Sequence, residues 1–335
     1  MNSTILVTGA AGFIGSHVCD HLLSQGNQVV ALDDLSGGFR DNVNEKAEFV
    51  KGSITDVALI NELFAKHKFE YVFHLAAYAA EGLSHFIRNF NYHNNLIGSI
   101  NLINASVNAG TVKCFVFTSS IAVYGHNQLP MKEETVPAPE DPYGIAKYAV
   151  EQDLRAAKEM FGLDSMIFRP HNVYGERQNI GDPYRNVVGI FMNQIMQGKK
   201  LTIFGDGSQS RAFSHIDDVA PIIASSIGNP SAYNEVFNIG ADKPYSVKEL
   251  ATIVCESFGV PEALEFLEAR NEVDHAYSDH AKVRSYFGSF FKNVDLKEGI
   301  ERMVEDAKAK GPRQGEKFKG IEIEKNMPPA WKKLI

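Results

Sequence analysis

The chain has 335 residues, 44% of them hydrophobic, enough for two domains or for one large domain with additions. A formal charge of -8, from 33 Lys and Arg against 41 Asp and Glu, argues against nucleic acid as a general partner. Cys19, Cys114 and Cys255 show no C-x-x-C spacing, no run approaches ~18 uninterrupted apolar residues, and the chain enters a strand-like run at once with no basic leader. The expectation is a cytoplasmic protein with unpaired thiols, no membrane span and no metal site.

In chain order, residues 5–7 read as a buried strand and Phe13–Ser24 as a helix. Strands follow at 28–32 and 47–50, a helix at Val57–His67 and a strand at 71–75. A long helix is expected over 89–108, a strand at Cys114–Thr118, a helix at 142–160 and a sixth strand at 165–168. Strand and helix in alternation call for an α/β fold, a doubly wound parallel sheet with helices on both faces. The nearly continuous apolar strands agree with a sheet buried on both sides. From about Asn172 the pattern loosens and Gly and Pro punctuate it. Helices are expected there at 187–197, 247–257 and 296–308, in a smaller α/β region over the strand ends. The division is 1–171 for the sheet domain, 172–310 mainly for a second domain with some segments returning to the sheet, and 311–335 for a peripheral tail.

Two local motifs carry chemistry. TGAAGFIG at residues 8–15 follows the first strand and opens the first helix. Gly9 permits the tight turn, Gly12 lets backbone approach a pyrophosphate at the positive helix end, and Gly15 allows close helix–strand packing. Asp33 ends the second strand 24 residues beyond Gly9. Its carboxylate suits an adenosine ribose and repels a 2′-phosphate, which favours NAD. Further on, Tyr143 and Lys147 stand one helical turn apart and project from one face. A phenol titrates near ~10 and is a poor base at neutral pH. An ammonium beside it is expected to lower that value, so the pair can take and return an alcohol proton.

With these motifs in order, the sequence resembles the extended short-chain dehydrogenase/reductase family, and within it the nucleotide-sugar epimerases and dehydratases. The resemblance covers about residues 4 to 290. It rests on TGAAGFIG, His74-Leu-Ala-Ala77, Thr118-Ser-Ser-Ile-Ala-Val-Tyr-Gly125, Tyr143-x-x-x-Lys147 and Arg169-Pro-x-Asn-Val-Tyr-Gly175. It implies a Rossmann domain holding NAD and a smaller domain holding a sugar nucleotide. It makes Tyr143 the base, Lys147 the holder of the nicotinamide ribose, and Ser120 the hydroxyl completing the triad. Gly9, Gly12, Phe13, Ile14, Asp33, Ile54, Leu75, Ala76, Ala77, Ser119 and His171 would line the cofactor. Asn95 matches a cofactor-binding position of the family and would support the serine loop. Where the family often has Asp for the adenine amino group, this chain has Ser53, a hydroxyl without charge.

The family's dehydratases need further acid–base residues directly after the triad hydroxyl. Here those places hold Ile121 and Ala122, which can do neither job. The implied reaction is therefore 4-epimerisation of a UDP-hexose through a 4-keto sugar, for which the Tyr, Lys and Ser set suffices. Another reaction of the family is the alternative; a silent NAD-binding regulator would be expected to lose Tyr143 or Lys147. By the same resemblance, Asn172 meets the sugar phosphate, residues 186–191 with Val188 pack on uracil, and Arg211 and Arg270 clamp the pyrophosphate. An arginine suits that task because it is always charged and bonds bidentately. Ser84 is placed against the sugar, and Glu81 nearby would disfavour a uronic acid by repulsion. The residue gating N-acetyl groups is bulky Tyr277 by one alignment and small Ala276 by the other. A homodimer through the 89–108 and 142–160 helices is implied as well.

Overall fold

The computed structural model describes residues 2–269, 273–313 and 318–332. Seven strands form one sheet: β1 (Thr4–Thr8), β2 (Gln28–Asp33), β3 (Glu48–Lys51), β4 (Tyr71–His74), β5 (Cys114–Thr118), β6 (Ser165–Pro170) and β7 (Val236–Ile239). Their order is β7-β6-β5-β4-β1-β2-β3 and every pairing is parallel. The order reverses at β1, where ligands of such sheets bind beyond the carboxyl ends.

Alternation along the strands divides the core. Ile5, Val7, Phe73, Val116 and Phe168 face one side, against Val18 and Leu22 of α1 (Phe13–Ser24). Leu6, Val72, Phe115 and Phe117 face the other, against α2 (Val57–His67), α3 (Gly98–Ala109) and α4 (Pro142–Phe161). Successive strand side chains point to opposite faces, so each apolar strand feeds both layers. Full burial of each large side chain contributes about 1.5–3 kcal/mol.

The sequence reading foresaw six of these strands. The seventh lies within the loosened region, where Val236–Ile239 returns to pair with β6 and the short helix Ala220–Ala224 packs on α1. Both are too short for periodicity to separate strand from helix. The expected 89–108 helix is interrupted. Arg88–Tyr92 leads into a π turn at His93–Ile97 before α3 begins.

The second lobe contains α5 (Val187–Met196), α6 (Val247–Phe258) and α7 (Leu296–Lys310) around Phe191, Leu250, Val254, Ile300 and Met303. A capping box of Ser246 and Glu249 starts α6. Short strands complete the lobe. Leu201–Phe204 pairs with Leu264–Leu267, and Ser210–Ala212 lies between Pro244–Ser246 and His275–Ala276.

The end of the chain is not peripheral. Met327 and Trp331 are buried in a cluster with Ala80, Leu83, Ile87 and Tyr184. The Glu322 carboxylate accepts from the Asn89 and Phe90 amides at 2.8 and 2.9 Å, satisfying the first turn of Arg88–Tyr92. Trp331 lies on Gly82, where an added Cβ would come within 3.1 Å of its ring. The apolar residues among its charges gave the tail this docking.

Candidate active site

A cleft of about 560 Å³ runs along the carboxyl ends of the strands and under the second lobe. One wall is the glycine turn. Gly9 has φ +70, and a Cβ there would come within 2.7 Å of the Ala76 amide nitrogen. A Cβ on Gly15 would stand 2.0 Å from the Gly9 carbonyl oxygen. The turn therefore requires glycine at both places. Gly12 precedes α1 and offers no side-chain cap, so the helix N-terminus opens on the cleft beside Phe13 and Ile14.

Asp33 is buried at the end of β2. Its carboxylate accepts from the Ala11 amide at 3.0 Å and the Leu35 amide at 2.7 Å, and burial pushes its pKa up. The Gly12 amide acts on the same carboxylate, and Asp33 lines the cleft. Ser53, Ile54, Leu75, Ala76, Ala77, Ser119 and His171 also line the cleft. Ser53 Oγ accepts from the Thr55 amide at 3.2 Å and lies 2.9 Å from the Thr55 hydroxyl. Space and charge both fit NAD: a bare helix N-terminus for the pyrophosphate, a glycine cradle and an acid at the ribose position.

The reacting end lies between β5 and α4. Asp141 caps α4, accepting from Gly144 N at 2.9 Å, and Pro142 occupies the first turn. Tyr143 and Lys147 follow on the buried face, 7% and 2% exposed. Lys147 Nζ donates to the Thr118 carbonyl at 2.8 Å, and sits 4.7 Å from the centre of the Phe117 ring and 5.8 Å from that of Tyr143. Burial holds Lys147 down to about 7, with the Glu151 carboxylate pulling the other way. Burial also pushes the Tyr143 phenol up, while a hydrogen bond with Ser120 lowers it. The expected depression of the tyrosine is thus not met; desolvation outweighs the Ser120 hydrogen bond. Ser120 Oγ accepts from Ala122 N at 3.1 Å and starts the turn Ile121–Tyr124.

Glu151 extends the tyrosine–lysine spacing by one more turn. It accepts from Ser119 Oγ at 2.5 Å and from Arg169 Nε at 3.0 Å. Arg169 also donates to the Tyr124 hydroxyl at 2.6 Å, and that hydroxyl donates to Asn238. This buried network fixes the serine loop from β5, β6, β7 and α4 together. His74, from the fourth-strand motif, is structural. Its ring nitrogens meet the Thr8 and Ser99 hydroxyls at 2.8 and 2.7 Å, joining β1 to α3.

On the substrate side, Asn172, Arg211 and Ala276 line the cleft. Arg211 is oriented by the Ser210 and Asp274 carbonyls, each at 2.9 Å, and by the Val273 carbonyl at 2.5 Å. Four expected positions differ. Val188 is fully buried in the lobe core, and its neighbour Val187 faces the cleft instead. Tyr277 is not on the cleft wall; Ala276 is, because strand side chains alternate in direction. Ser84 is buried behind the wall, where its hydroxyl donates to the Glu81 carbonyl at 2.6 Å and accepts from Tyr143 N at 3.2 Å. It braces the start of α4. Asn95 lies in the π turn, bonded to the Tyr78 amide at 2.8 Å and the Tyr78 carbonyl at 3.0 Å. It holds the loop after β4 rather than the serine loop. Arg270 lies outside the described residues.

Arg185 was not singled out from the sequence. It lines the cleft, pairs with Asp182 at 2.6 Å, stacks 5.0 Å over Tyr78 and reaches Gly37 across the opening. Its signal was a lone arginine after the Gly181-Asp-Pro183 turn, indistinguishable there from a surface charge. Arg177, paired with Asp20 at 2.7 Å, is a second such residue.

A glycine cradle, an acid after β2 and a Ser–Tyr–Lys set on one Rossmann sheet define a dinucleotide-dependent enzyme acting on an alcohol. A model of the NAD dependent epimerase/dehydratase family matches residues 5–240. The UDP-glucose 4-epimerase of Mycolicibacterium smegmatis is 37% identical over 309 residues, 90% of this chain and 97% of the relative. The Thermotoga maritima UDP-glucose 4-epimerase, solved with UDP-glucose, superposes with TM-score 0.87 at 37% identity, covering 92% of this chain and 99% of that one. The UDP-N-acetylglucosamine 4-epimerase of Methanobrevibacter ruminantium M1, solved with UDP-N-acetylmuramic acid, gives TM-score 0.85 at 30% identity over 92% and 99%. The chain belongs to the NAD dependent epimerase/dehydratase family.

Proposed function

We propose that this protein is an isomerase, an NAD-dependent UDP-hexose 4-epimerase. One observation carries the choice of reaction. Ser120 and Tyr143 meet on the cleft wall, and the two residues that follow Ser120, Ile121 and Ala122, are apolar and buried. The site thus has a proton acceptor for one hydroxyl, without the acid–base pair that elimination of a second hydroxyl requires at those positions. When bound, NAD supplies a reversible acceptor for the hydrogen and electron pair at C4. Gly9, Gly12, Phe13, Ile14 and Asp33 hold it, with Ser53, Ile54, Ala76 and Ala77 along its length.

Ser120 orients the C4 hydroxyl toward Tyr143. Tyr143 acts as a phenolate: having first released its own proton to solvent, it takes the hydroxyl proton as C4 becomes a carbonyl, and returns it after the 4-keto sugar has turned over in the site. The buried phenolate is a strong base once formed, and the ammonium charge of protonated Lys147 favours it. Asn172 and Arg211 hold the diphosphate while the hexose turns. Ala276 on the wall leaves room for an N-acetyl group, so both plain and N-acetylated hexoses are substrates. Residues 1–171 with the returning strand serve the cofactor, and 172–310 mainly the sugar nucleotide.

We infer a cytoplasmic homodimer. Exposed Ile97 and Ile145, on the 88–109 helical stretch and α4, support a shared helical face. Three buried free cysteines support a reducing compartment. Among the described residues no helix is long and apolar enough to cross a membrane. Light scattering on the purified protein tests the dimer. The function is tested by incubating the protein with UDP-galactose and UDP-N-acetylgalactosamine and following the gluco epimers by NMR. Absence of interconversion of any UDP-hexose would remove the proposal.

A further inference from the structure

Two buried histidines stand where the halves of the cleft join, and the reaction uses neither as acid or base. His171 follows β6; His280 follows the strand that bears Ala276. Their Nε2 atoms are 3.0 Å apart and their rings tilt by 31°. His171 Nδ1 lies 2.9 Å from the Ala212 carbonyl oxygen. His280 Nδ1 lies 2.6 Å from the Asp242 carboxylate. Ser278 Oγ is 3.1 Å from His280 Nε2.

The protons can be counted. A carbonyl only accepts, so His171 Nδ1 carries a proton. A carboxylate only accepts, so His280 Nδ1 carries one as well. Two ring nitrogens 3.0 Å apart cannot both present lone pairs, so a third proton lies between them. Two neutral imidazoles hold two protons; this pair holds three. Donation from Ser278 to His280 Nε2 would restore the clash of lone pairs, so its hydroxyl does not change the count. The pair carries one positive charge, with Asp242 as counterion.

The charge belongs on His280. Burial and the neighbouring imidazole hold His171 down to about 3. Asp242 lies against His280, and the hydrogen bond from His280 keeps its carboxyl below the usual range, ahead of Arg284. Two charged groups face the pair: Asp242 from the loop after β7, and Arg284 from the helix Ala281–Phe287, which pairs with Asp242 at 3.0 Å. The strand Ser210–Ala212 contributes the Ala212 carbonyl. Gly240 packs directly against the ring, and a Cβ there would sit 2.4 Å from both His171 Nε2 and Ser214 Oγ.

The pair ties together pieces of the substrate wall. Ala212 follows Arg211, and its carbonyl also accepts from Asn172 Nδ2 at 3.3 Å. Ala276 pairs with Arg211 in strand register, four residues before His280. We propose that His280 is an imidazolium at neutral pH, and that the His171–His280–Asp242 clasp positions Asn172, Arg211 and Ala276 for the sugar nucleotide. His280 and Asp242 are positioning residues. The second half of this statement rests on the sugar-nucleotide reading; the first does not.

The test is NMR of the NAD-loaded wild-type protein labelled with 15N-histidine, with His280→Asn used to assign the signals. Both ring nitrogens of His280 are expected to be protonated at neutral pH, and His171 to be protonated at Nδ1 alone. A neutral His280, or a charged His171, overturns the proton count. In calorimetry with UDP, His280→Asn and Asp242→Asn are expected to weaken binding roughly tenfold with NAD content unchanged. Unchanged UDP affinity in both variants overturns the positioning role. A wild type that binds no UDP contradicts that role and the sugar-nucleotide reading together, and the NMR result still decides the proton count.

Discussion

The two walls of the cleft are built differently. The cofactor wall is made of neighbouring strand ends of one sheet: Gly9, Leu75 and Ser119 each follow a strand, and Asp33 ends one. The substrate wall is made of fragments. Arg211 sits on a three-residue strand, Ala276 on a two-residue strand, and Asn172 in a loop with φ +39. Strand-end backbone geometry positions most of the first wall, with the buried Glu151–Arg169 network behind Ser119. The second depends on side-chain ties: carbonyls around Arg211 and the histidine clasp behind Asn172. The first wall is therefore rigid by construction, and the second is the one that distant substitutions can loosen.

Variants on each wall separate these roles. The largest effect is expected at the point where the walls meet. Tyr143→Phe removes the proton acceptor and should cut turnover by about a thousandfold while NAD stays bound. Substantial residual turnover with bound NAD would deny Tyr143 its role. Next comes the tail. Trp331→Ala empties a buried aromatic site and should cost about 3 kcal/mol of stability in chemical denaturation. A tail that only covers the surface would show almost none of that loss.

Arg211→Lys keeps the charge but not the fork. It should raise the KM for the UDP-sugar roughly tenfold, with NAD affinity unchanged. Equal effects on both ligands would mean that the walls are not separable. Ala276→Tyr should lower turnover of UDP-N-acetylgalactosamine at least about tenfold relative to UDP-galactose, by steric exclusion. An unchanged ratio would place the gate elsewhere.

The smallest effect concerns the seam between sheet and lobe. The His215 ring, 3.4 Å away, and then the charge of Arg302 on α7, hold Glu176 down to about 2, from 4.5. A carboxyl lowered by folding contributes stability that is fully present above 4.5 and lost as pH falls toward 2. Glu176 is partly exposed, so solvent screens much of this contribution. Glu176→Gln should lower Tm slightly at pH 7, and the gap from wild type should close on acidification through that window. A gap independent of pH would assign the loss to packing.

The sequence disclosed these walls unequally for the same physical reason. The cofactor wall follows from local rules: a glycine turn between strand and helix, an acid at a strand end, and apolar runs long enough to read. Asn95 and Ser84 were found as polar residues near the site, but their partners, Tyr78 and the start of α4, lie across the fold and leave no local trace. Tyr277 against Ala276 was a question of strand direction in an element two residues long, which spacing cannot decide. Arg185 and the His280–Asp242 pair are contacts between segments far apart in sequence, and nothing in their neighbourhoods distinguishes them from surface charges. The seventh strand was missed because Val236–Ile239 stands among short helical turns, outside the strand–helix alternation that marks the other six.

The central claim is that one carbon is oxidised and reduced again within a single site, with Tyr143 handling only the hydroxyl proton. UDP-galactose carrying deuterium at C4, incubated with the NAD-loaded protein in ordinary water, tests it directly. The expected product is UDP-glucose that keeps the deuterium at C4, with no product from Tyr143→Phe on the same time scale. Product bearing solvent hydrogen at C4 would mean that inversion proceeds by removing the carbon-bound hydrogen as a proton, and would contradict the account.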